Sequence, residues 1–494
     1  MKKYLLKKNG GFALVQVLVF ASIGVLLVGG LTNWAGANIK AARQAVSSER
    51  AFQVAEAGIE YYRWHLAHAK TDFKDGHASS SASYIHDYFD KDGNKVGTFE
   101  LFITPPLVGS TVVKIVSTGR VVENANVKRS IEAILAVPSL AKYAIVANDT
   151  MRFGEGTEVF GPLHSNGGIR FDGLAHNIVT SAKDHYNDPD HNGNDEFGVH
   201  THMNINGSGS SESFRSDEAP GHVVNPRPDV FMSGRQFPVP AVDWAGFTSD
   251  LSQMKTDAIS GGKKLASSGS QGYNIVLKTN DTFDLYKVTS VKAAPNHCNK
   301  DNKVDGQDGW ASWTIKNQTL LGNYPLPANG LIFAEDNVWV EGQINTARVT
   351  IAAGTFPESA STYKSITINK DIKYTNHDGR DVIALVAQNN INVGLESEDN
   401  LEIDAALVAK NGRVGRYYYG SNCDDYADRD TITLFGMLAS NDRYGFAYSN
   451  GGTVTSGYET RIINYDGNLL YGPPPSFPLT SDQYQTISWR EIRN

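Results

Sequence analysis

The pattern of apolar and polar positions divides the chain into a helical N-terminal segment and a longer β-rich remainder. Four lysines lie among the first eight residues, and an apolar run of twenty residues extends from Phe12 to Leu31. A helix of that length matches the hydrocarbon thickness of a bilayer, and flanking basic residues stay on the cytoplasmic side. The pattern predicts a membrane span over 12–31, with residues 1–11 inside and the chain beyond Asn38 outside.

The helical pattern continues beyond the apolar run. Residues 39–68 contain no proline and one glycine, and they are rich in alanine, glutamate, glutamine and arginine, which are good helix formers. Apolar residues recur along one face of this segment, namely Ala45, Phe52, Ala55, Ile59, Tyr62 and Leu66. The spacing predicts one continuous helix over residues 12–68, about 85 Å long at 1.5 Å per residue.

Three kinds of segment share this N-terminal pattern. A secretory signal peptide is one, because Ala35-Gly36-Ala37 has the small-x-small form of a cleavage site, although the apolar run exceeds the usual length. An ordinary membrane anchor is the second. In the third, cleavage falls before the apolar run, between Gly11 and Phe12, and the helix continues outside the membrane. The long helix favours this third interpretation.

The leader, the Gly11-Phe12 junction and the AFQVAEAGIEYYR stretch (Ala51–Arg63) resemble the type IV pilin-like superfamily, and that stretch resembles PilX-type minor pilins. The resemblance implies that a prepilin peptidase cleaves after Gly11 and methylates the amine of Phe12. It implies a single-pass protein of the cytoplasmic membrane that later packs its helix among other pilins in a filament at the cell surface.

Gln16 departs from the family pattern, which usually has glutamate at this fifth mature position. In the family, that glutamate is thought to neutralise the N-terminal amine of the subunit above, since a buried unpaired charge is very unfavourable. A subunit at the tip has no amine above it. Gln16 therefore indicates a tip or initiating subunit, as in the type II secretion pseudopilin GspK. A tolerated polar residue in a membrane anchor is the alternative.

Residues 69–138 have the pattern of a small antiparallel sheet. Segments 97–105, 110–122 and 127–137 alternate apolar and polar residues and are rich in β-branched side chains. Pro105-Pro106 and the polar run 123–126 supply turns between them. We expect a three-stranded meander, preceded by a loop over 69–83, whose apolar face covers the long helix as in a pilin head.

Residues 139–494 predict a large all-β domain. IFAEDNVWVEG, LVAQNNINVG and LVAKNGRVG share one cadence, an apolar strand followed by an Asn- or Gly-containing corner and a short apolar return. Such irregular repeats are typical of the rungs of a β-solenoid, and a β-sandwich with long loops is the alternative. A pilin module followed by such a domain resembles the large minor pilins of the ComZ type.

Three segments interrupt or end the predicted solenoid. Residues 183–240 are polar and predict an insertion on the surface. Residues 241–259 have helical spacing, with five apolar residues on one side: Trp244, Phe247, Leu251, Met254 and Ile259. The chain ends in a prolyl run and a short strand containing Trp489, which we expect to cover the exposed edge of the solenoid.

The net charge of −8 argues against binding of nucleic acid across the whole surface. The two cysteines, Cys298 and Cys423, are too far apart in sequence to form a metal-binding pair. In an oxidising compartment they can form a disulfide that closes a long loop, and two free thiols are the alternative.

Two polar motifs are candidate sites for metal ions. Asp188, Asp190 and Asn192 have the oxygen spacing of a calcium loop, but Val199 stands where that loop needs a bidentate glutamate, so an Asx-rich turn is the alternative. His200 and His202 are zinc ligands by type. Because no matching ligand spacing lies near them, we expect solvated loop histidines.

Arg416, Tyr417, Tyr418 and Tyr419 combine a cation with rings that can stack on a base or a sugar, and tyrosines lining the solenoid wall are the alternative. Motifs of zinc peptidases, serine hydrolases and P-loop enzymes are absent from the sequence. Since β-solenoids also host polysaccharide lyases, one acidic cluster is a candidate for holding a catalytic calcium ion, and a charged loop is the favoured alternative: Asp424, Asp425, Asp428 and Asp430.

The sequence thus predicts an α+β protein in which a long helix packs on a small antiparallel sheet before a solenoid-like domain. We expect a non-enzymatic minor pilin at or near a filament tip, which primes assembly and presents its β-domain for adhesion or DNA uptake. Its expected partners are other pilins, the prepilin peptidase, and DNA or a surface glycan. No cofactor is required, and calcium is a candidate ligand. A membrane-anchored or secreted polysaccharide-active enzyme and a type II secretion pseudopilin are the alternatives.

Overall fold

The computed structural model describes residues 10–492 except 81, 140, 206, 208, 245–250, 296, 299–308, 451–452, 478 and 480–482. Most of the predicted leader lies outside the described residues. The chain forms two compact units, the first from Met1–Pro105, Val113–Ala136 and Gln483–Asn494, the second from Pro106–Val112 and Val137–Asp482. The predicted α+β class, with one long N-terminal helix and a large sheet-rich domain, is confirmed.

The described helices are α1 (Gly10–His68) and α2 (Leu251–Ser260), with 3-10 turns at Ser216–Glu218, Ala360–Thr362, Ser421–Tyr426 and Gly467–Leu470. The strands of the first unit are β1 (Tyr84–Phe89), β2 (Lys95–Thr104), β3 (Val113–Val121), β4 (Asn124–Ala136) and β32 (Gln485–Ile492). The strands of the second unit are β5 (Ile145–Ala147), β6 (Met151–Phe153), β7 (Thr157–Phe160), β8 (Leu163–Ser165), β9 (Ile169–Phe171), β10 (Leu174–Ala175), β11 (Val179–Ser181), β12 (His185–Tyr186), β13 (Glu196–Phe197), β14 (Val199–His200), β15 (Arg235–Gln236), β16 (Lys263–Leu265), β17 (Gly272–Leu277), β18 (Thr282–Val291), β19 (Ile315–Pro325), β20 (Leu331–Ala334), β21 (Val338–Ile344), β22 (Arg348–Ala353), β23 (Ile366–Thr367), β24 (Ile372–Tyr374), β25 (Val382–Ala387), β26 (Ile391–Val393), β27 (Asn400–Ala409), β28 (Val414–Arg416), β29 (Asp428–Ser440), β30 (Ala447–Asn450) and β31 (Thr453–Tyr465).

Helix α1 is 59 residues long and has two halves of different character. From Phe12 to Val46 its side chains are exposed or half-exposed, and this half contains the apolar run. From Ser47 onward one face is buried against the sheet of the first unit, with Ala51, Val54, Ala55, Ile59, Tyr62 and Leu66 at its centre. By length and composition α1 can cross a membrane. The predicted continuous helix is therefore present, although Ala45 is exposed.

The sheet of the first unit is antiparallel and has the strand order β1-β2-β3-β4-β32. Alternate residues of β3, including Val113 and Ile115, are buried, which is the alternation expected for a sheet with one face on a core. The three predicted strands correspond to β2, β3 and β4. Strand β1 was not predicted.

Strand β32 corrects the prediction for the C-terminus, because it pairs with β4 in the first unit and not with the solenoid. The domain boundary predicted at 139–494 is therefore wrong at its C-terminal end. The physical reason is side-chain pairing: Trp489 packs edge-on against Phe52 at 5.7 Å, and Arg490 contacts Glu132. The sequence of the strand alone does not specify which sheet edge it joins.

Two glycines allow α1 to lie close to the sheet. A Cβ added at Gly119 of β3 would lie 2.1 Å from the Ala51 carbonyl oxygen and 2.4 Å from the Ala55 nitrogen. A Cβ added at Gly58 would lie 2.3 Å from the Ser117 hydroxyl oxygen. The Ala51 oxygen and the Ala55 nitrogen belong to the backbone of α1 and cannot move aside as a side chain can. A side chain at position 119 would therefore push the helix and the sheet apart.

We expect Gly119→Ala to lower the free energy of unfolding of the first unit by about 3 kcal/mol, because overpacking against backbone cannot be relieved by a rotamer change. The measurement is urea unfolding of the full-length protein in detergent micelles. Gly36→Ala is the matched control, since a Cβ at Gly36 meets no atom within 4 Å. Equal stability of the two variants would contradict this packing.

The second unit is a β-solenoid, as predicted, because its strands pair in parallel and in register along successive coils. One face has the strand order β16-β20-β22-β25-β27-β29-β5-β8-β11-β15, and another has the order β21-β24-β27-β29-β31-β7-β10. Strand β17 pairs in parallel with β21, and β18 and β19 extend from β17 as antiparallel strands. This topology excludes the alternative β-sandwich.

Identical register places aliphatic side chains above one another inside the coils. One interior ladder consists of Ile332, Ile351, Leu385, Leu407, Leu438, Ile145, Leu163 and Val179. A second ladder, two residues further along each strand, contains only alanine and serine: Ala334, Ala353, Ala387, Ala409, Ser440, Ala147, Ser165 and Ser181. Burial of each large aliphatic side chain contributes about 1.5–3 kcal/mol, so the first ladder is a main source of stability.

The coils do not follow one another in chain order. The chain enters at β5, in the middle of the stack, and builds outward to β15. It then returns along the outside to β16 at the opposite end and builds back until β29 pairs with β5 and β31 pairs with β7. The returning segment contacts Ser181 through the Val239 amide and Lys410 through the Trp244 indole.

Helix α2 belongs to this returning segment and covers outward-facing apolar residues of one solenoid face. Its buried residues are Leu251, Met254 and Ala258, which pack with Leu331 and Phe333. Ile259, predicted on the buried side, is 63% exposed, and Ala258 occupies that side instead. Phe247 lies outside the described residues.

Candidate functional site

The predicted processing and assembly residues lie at the exposed end of α1. Phe12 is 70% exposed and Gln16 is exposed. They are four residues apart on a helix, so they lie on one face, about 6 Å apart along the axis. An uncharged residue at position 16 is therefore held next to the N-terminal end of the apolar run.

The exposed half of α1 is a large apolar surface. Fourteen large apolar side chains between Phe12 and Trp34 are exposed, and no charged residue occurs from Phe12 to Ile39. Full burial of such side chains is worth about 1.5–3 kcal/mol each, which gives tens of kcal/mol in total. A surface of this kind inserts into a bilayer or packs among other apolar helices.

The polar segment 183–240 is not a simple surface insertion, which corrects the prediction. Asp188, Glu196, His200, His202 and Glu218 within it are at most 1% exposed. Strand β14 joins β9 and β6 in a parallel three-stranded sheet, so part of the segment is a solenoid coil. A segment rich in histidine, aspartate and glutamate is predicted to be exposed to solvent. Here the polar atoms of these side chains pair with one another, which allows them to be buried.

The two predicted zinc-type histidines are therefore buried, not solvated as expected. The Nε2 atom of His202 lies 3.0 Å from Glu196 Oε1, and the Nε2 atom of His200 lies 3.3 Å from Glu196 Oε2. Burial acts to raise the pKa of Glu196, but the hydrogen bond of His202 and the charge of His200 hold that pKa below its usual range.

The predicted calcium loop is not assembled as such. Asp190 pairs with Arg443, whose Nη1 donates to its Oδ1 at 2.9 Å, and Asn192 is exposed. Asp188 Oδ1 accepts a hydrogen bond from the Asp190 amide at 3.0 Å, as in an Asx turn, and Asp188 Oδ2 faces His191 and His200 at 3.6 and 3.5 Å. The reason is charge: a guanidinium occupies the position next to Asp190 that a cation would need.

Sequence reasoning missed His191 and Glu196 as members of this cluster. A signal was present, because His200 and His202 alternate along an extended segment and Glu196 precedes them by four and six residues. Asp188, His191, Glu196 and His202 each offer a ligand atom within 4.8 Å of the others.

Arg416, Tyr417 and Tyr419 do not form the predicted ligand-stacking site. Arg416 and Tyr419 are 0% exposed and Tyr417 is 2% exposed, and only Tyr418 is half-buried. The Arg416 guanidinium lies 4.6 Å from the centre of the Tyr419 ring and donates to three carbonyl oxygens, those of Leu395, Tyr426 and Ala427. Burial lowers the pKa of Arg416 to about 10. These side chains line the solenoid wall, which is the alternative the sequence left open.

We expect Arg416→Met to lower the free energy of unfolding by about 3 kcal/mol or more, because several buried carbonyl groups lose their donor. Arg380→Met is the control, since the Arg380 side chain is half exposed and pairs only with its own loop. It should change stability by less than about 1 kcal/mol. Urea unfolding measures the structural role of Arg416, and retention on immobilised single-stranded DNA measures the ligand-binding role that the sequence suggested. If Arg416→Met kept normal stability but lost retention on DNA, Arg416 would bind a ligand and the structural role would be contradicted.

Cys298 and Cys423 are bonded, with sulfurs 2.04 Å apart. The pair lies in a small buried cluster with Leu395, Tyr417 and Tyr419. A bond between residues 125 positions apart restricts the unfolded chain, which stabilises the fold by several kcal/mol in the loop-entropy description.

Among the described side chains, Asp425, Asp428 and Asp430, named for a lyase-type calcium site, are exposed and belong to no group of metal-ligating side chains. The Asp424 side chain lies outside the described residues. A cleft of about 400 Å³ elsewhere on the solenoid has Glu341, Asp371, Glu398 and Lys370 among its lining residues. Its carboxylates suit hydroxyl groups better than phosphates.

No protein-family model and no curated protein matches this chain. Among solved structures, the competence-associated pilin ComZ from Thermus thermophilus aligns with 90% of this chain and 98% of that chain. The sequence identity is 12% and the TM-score is 0.30, so the function is inferred below from this chain's own residues.

Proposed function

We propose that this protein is a minor subunit of a type IV pilus-like filament. The observation that carries the proposal is the division of α1, whose N-terminal half exposes an uncharged apolar surface while its C-terminal half is packed into a folded unit. A signal peptide would not be continuous with a folded core. A pilin requires both halves in one unbroken helix.

The two halves suit two successive environments. Before assembly, the apolar half crosses the cytoplasmic membrane, with the lysine-rich N-terminus inside. After a prepilin peptidase cuts between Gly11 and Phe12, the same surface packs among the helices of other pilins. In both cases the apolar side chains leave water, and the antiparallel sheet holds the emerging helix.

A position at or near the filament tip follows from Gln16. A subunit inside the filament needs a carboxylate to pair with the amine of its neighbour, and glutamine offers only a neutral amide. The second unit, of about 350 residues, adds a steric argument, because a tip subunit has fewer neighbours to accommodate. From that position the subunit primes assembly and presents the solenoid for adhesion or DNA uptake.

We expect mass spectrometry of the mature protein to find an N-terminus at methylated Phe12. Gly11→Val should retain the leader, because a bulky residue before the scissile bond obstructs the peptidase, whereas Gly10→Ala should be processed normally. A mature N-terminus at Asn38 would instead identify a secreted protein and would contradict the filament proposal.

The tip position has its own test, in which an epitope tag on the second unit is located on purified filaments by immunogold microscopy. We expect wild-type label at filament ends only. Gln16→Glu supplies the missing carboxylate and should allow label along the shaft, whereas Gln16→Asn should behave as wild type. Wild-type label along the shaft would contradict the tip position and leave the pilin assignment intact.

A further inference from the structure

Five titratable side chains of the segment 188–202 converge in the interior of the second unit. We propose that four of them, Asp188, His191, Glu196 and His202, form a closed site for a zinc ion. The site is independent of the proposed role in a filament. It differs from the calcium loop suggested by the sequence in its ligands and in the ion that it would hold.

Glu196 stands at the centre of the cluster. Its Oε2 lies 3.0 Å from His191 Nε2, and its Oε1 lies 3.0 Å from His202 Nε2. Asp188 Oδ2 lies 3.6 Å from His191 Nε2. The Asp188, Glu196 and His202 side chains are at most 2% exposed, and that of His191 is 6% exposed. The four residues thus present two nitrogens and two carboxylates to one small, dry space.

The hydrogen bonds of two histidines settle which ring nitrogen bears the proton. His202 Nδ1 lies 2.8 Å from the Ser211 carbonyl oxygen, and His200 Nδ1 lies 3.2 Å from the Phe197 carbonyl oxygen. A carbonyl oxygen only accepts, so each Nδ1 donates. A ring that carries a second proton donates from Nε2 to the carboxylate, as in the hydrogen bond between His202 and Glu196. A neutral ring has a lone pair on Nε2 instead, which faces the carboxylate oxygen and is the form that binds a metal. A cation between them removes the repulsion, and a backbone carbonyl behind the ring is typical of metal-binding histidines.

Unpaired buried atoms point into the same space. Among the described residues, Asp188 Oδ2 and His200 Nε2 have no hydrogen-bond partner, although both are buried. The nearest guanidinium, that of Arg170, lies 3.9 Å from Asp188 Oδ2 and is engaged by Asp172 at 2.7 Å. The contacts of Asp188 Oδ2 with His200, His191 and Arg170 are 3.5 Å or longer, so this buried oxygen is incompletely satisfied, and a divalent ion at bonding distance would satisfy it. With neutral imidazoles, the ion's two positive charges balance the two carboxylates.

The donor set selects the ion. Calcium and magnesium prefer oxygen ligands, whereas zinc accepts imidazole nitrogens and carboxylates in a tetrahedron. Ligand atoms bound at about 2.0–2.1 Å lie roughly 3.3 Å apart in that geometry. The four ligand atoms are already within 4.8 Å of one another, so closure on the ion needs only small shifts. Four protein ligands leave no open position, which is the pattern of a structural rather than a catalytic zinc site.

The ligands come from three adjacent pieces of chain. Asp188 and His191 lie in the loop between β12 and β13, Glu196 begins β13, and His202 follows β14. The ion would therefore clamp this loop onto the solenoid coil that contains β14. His200, next to both carboxylates and packed against the Tyr186 ring at 5.4 Å, is a positioning residue.

The direct test measures metal content of the purified full-length protein in detergent micelles. After chelator treatment and dialysis against Zn²⁺, elemental mass spectrometry should find one zinc ion per chain. Substitution with Co²⁺ should give the intense visible bands of tetrahedral coordination. Ca²⁺ should not be retained under the same conditions.

Variants then assign the ligands through zinc affinity, measured by competition with a chromophoric chelator. His191→Gln and His202→Gln should each weaken binding more than about 100-fold, the upper range for loss of an outer-shell partner. His185→Gln is the matched control, because His185 lies in the same hairpin but its side chain is 47% exposed. Its affinity should stay within about threefold of wild type.

Folding of each variant is checked by thermal unfolding with and without the chelator. Bound zinc should raise the unfolding temperature of the wild type and the control but not of the ligand variants. If His202→Gln fails to fold, His191→Gln and the X-ray absorption spectrum of wild-type zinc protein, which reports imidazole ligands, decide the matter. Zinc at background level, calcium binding in its place, or wild-type affinity in both ligand variants would overturn the proposal in favour of a histidine–carboxylate hydrogen-bond network.

Discussion

The apolar half of α1 cannot remain in water, and the proposed role in a filament depends on this constraint. More than a dozen large apolar side chains project from a helix with no charged residue over its first turns. Their transfer out of water is worth tens of kcal/mol, far more than the net stability of a typical domain. The apolar half of the helix therefore needs lipid or other helices around it at every stage, while the C-terminal half is packed into the first unit.

The second unit depends on a different physical rule, the in-register stacking of parallel strands. Each aliphatic residue on an inner ladder is buried by the one above and the one below, so stability is distributed along the stack. Buried arginines satisfy backbone carbonyl groups in this unit. Arg348 donates to the carbonyls of Val108, Gly379, Gly472 and Pro473, and Arg461 donates to those of residues 154–155 and 458–459.

Buried charged side chains occur in two kinds of arrangement in this unit, a hydrogen-bond network around Arg348 and a cluster of histidines and carboxylates around Glu196. Around Arg348, the chain segments 106–112 and 469–477 meet, so the guanidinium ties together pieces that are distant in sequence. Around Glu196, three histidines face two buried carboxylates, and Asp188 Oδ2 and His200 Nε2 have no hydrogen-bond partner among the described residues. The first arrangement is complete with the protein's own atoms, whereas the second is the one for which we propose a bound cation. This contrast separates a structural network from a candidate ion site.

The sequence by itself determined the long helix, its apolar half, the strands β2 to β4 and the solenoid character of the remainder. Those features depend on local periodicity, which a chain carries in its own residue order. Only the tertiary structure decided that β32 joins β4, that the coils of β5 to β15 stack beyond β29, and that Arg416 and Tyr419 are buried. It also decided that His200 and His202 face Glu196. A strand edge can pair with any strand that has free backbone groups, so the local sequence does not determine the partner of β32. Polar side chains can be buried when they form hydrogen bonds with one another, so the local sequence does not determine their burial either.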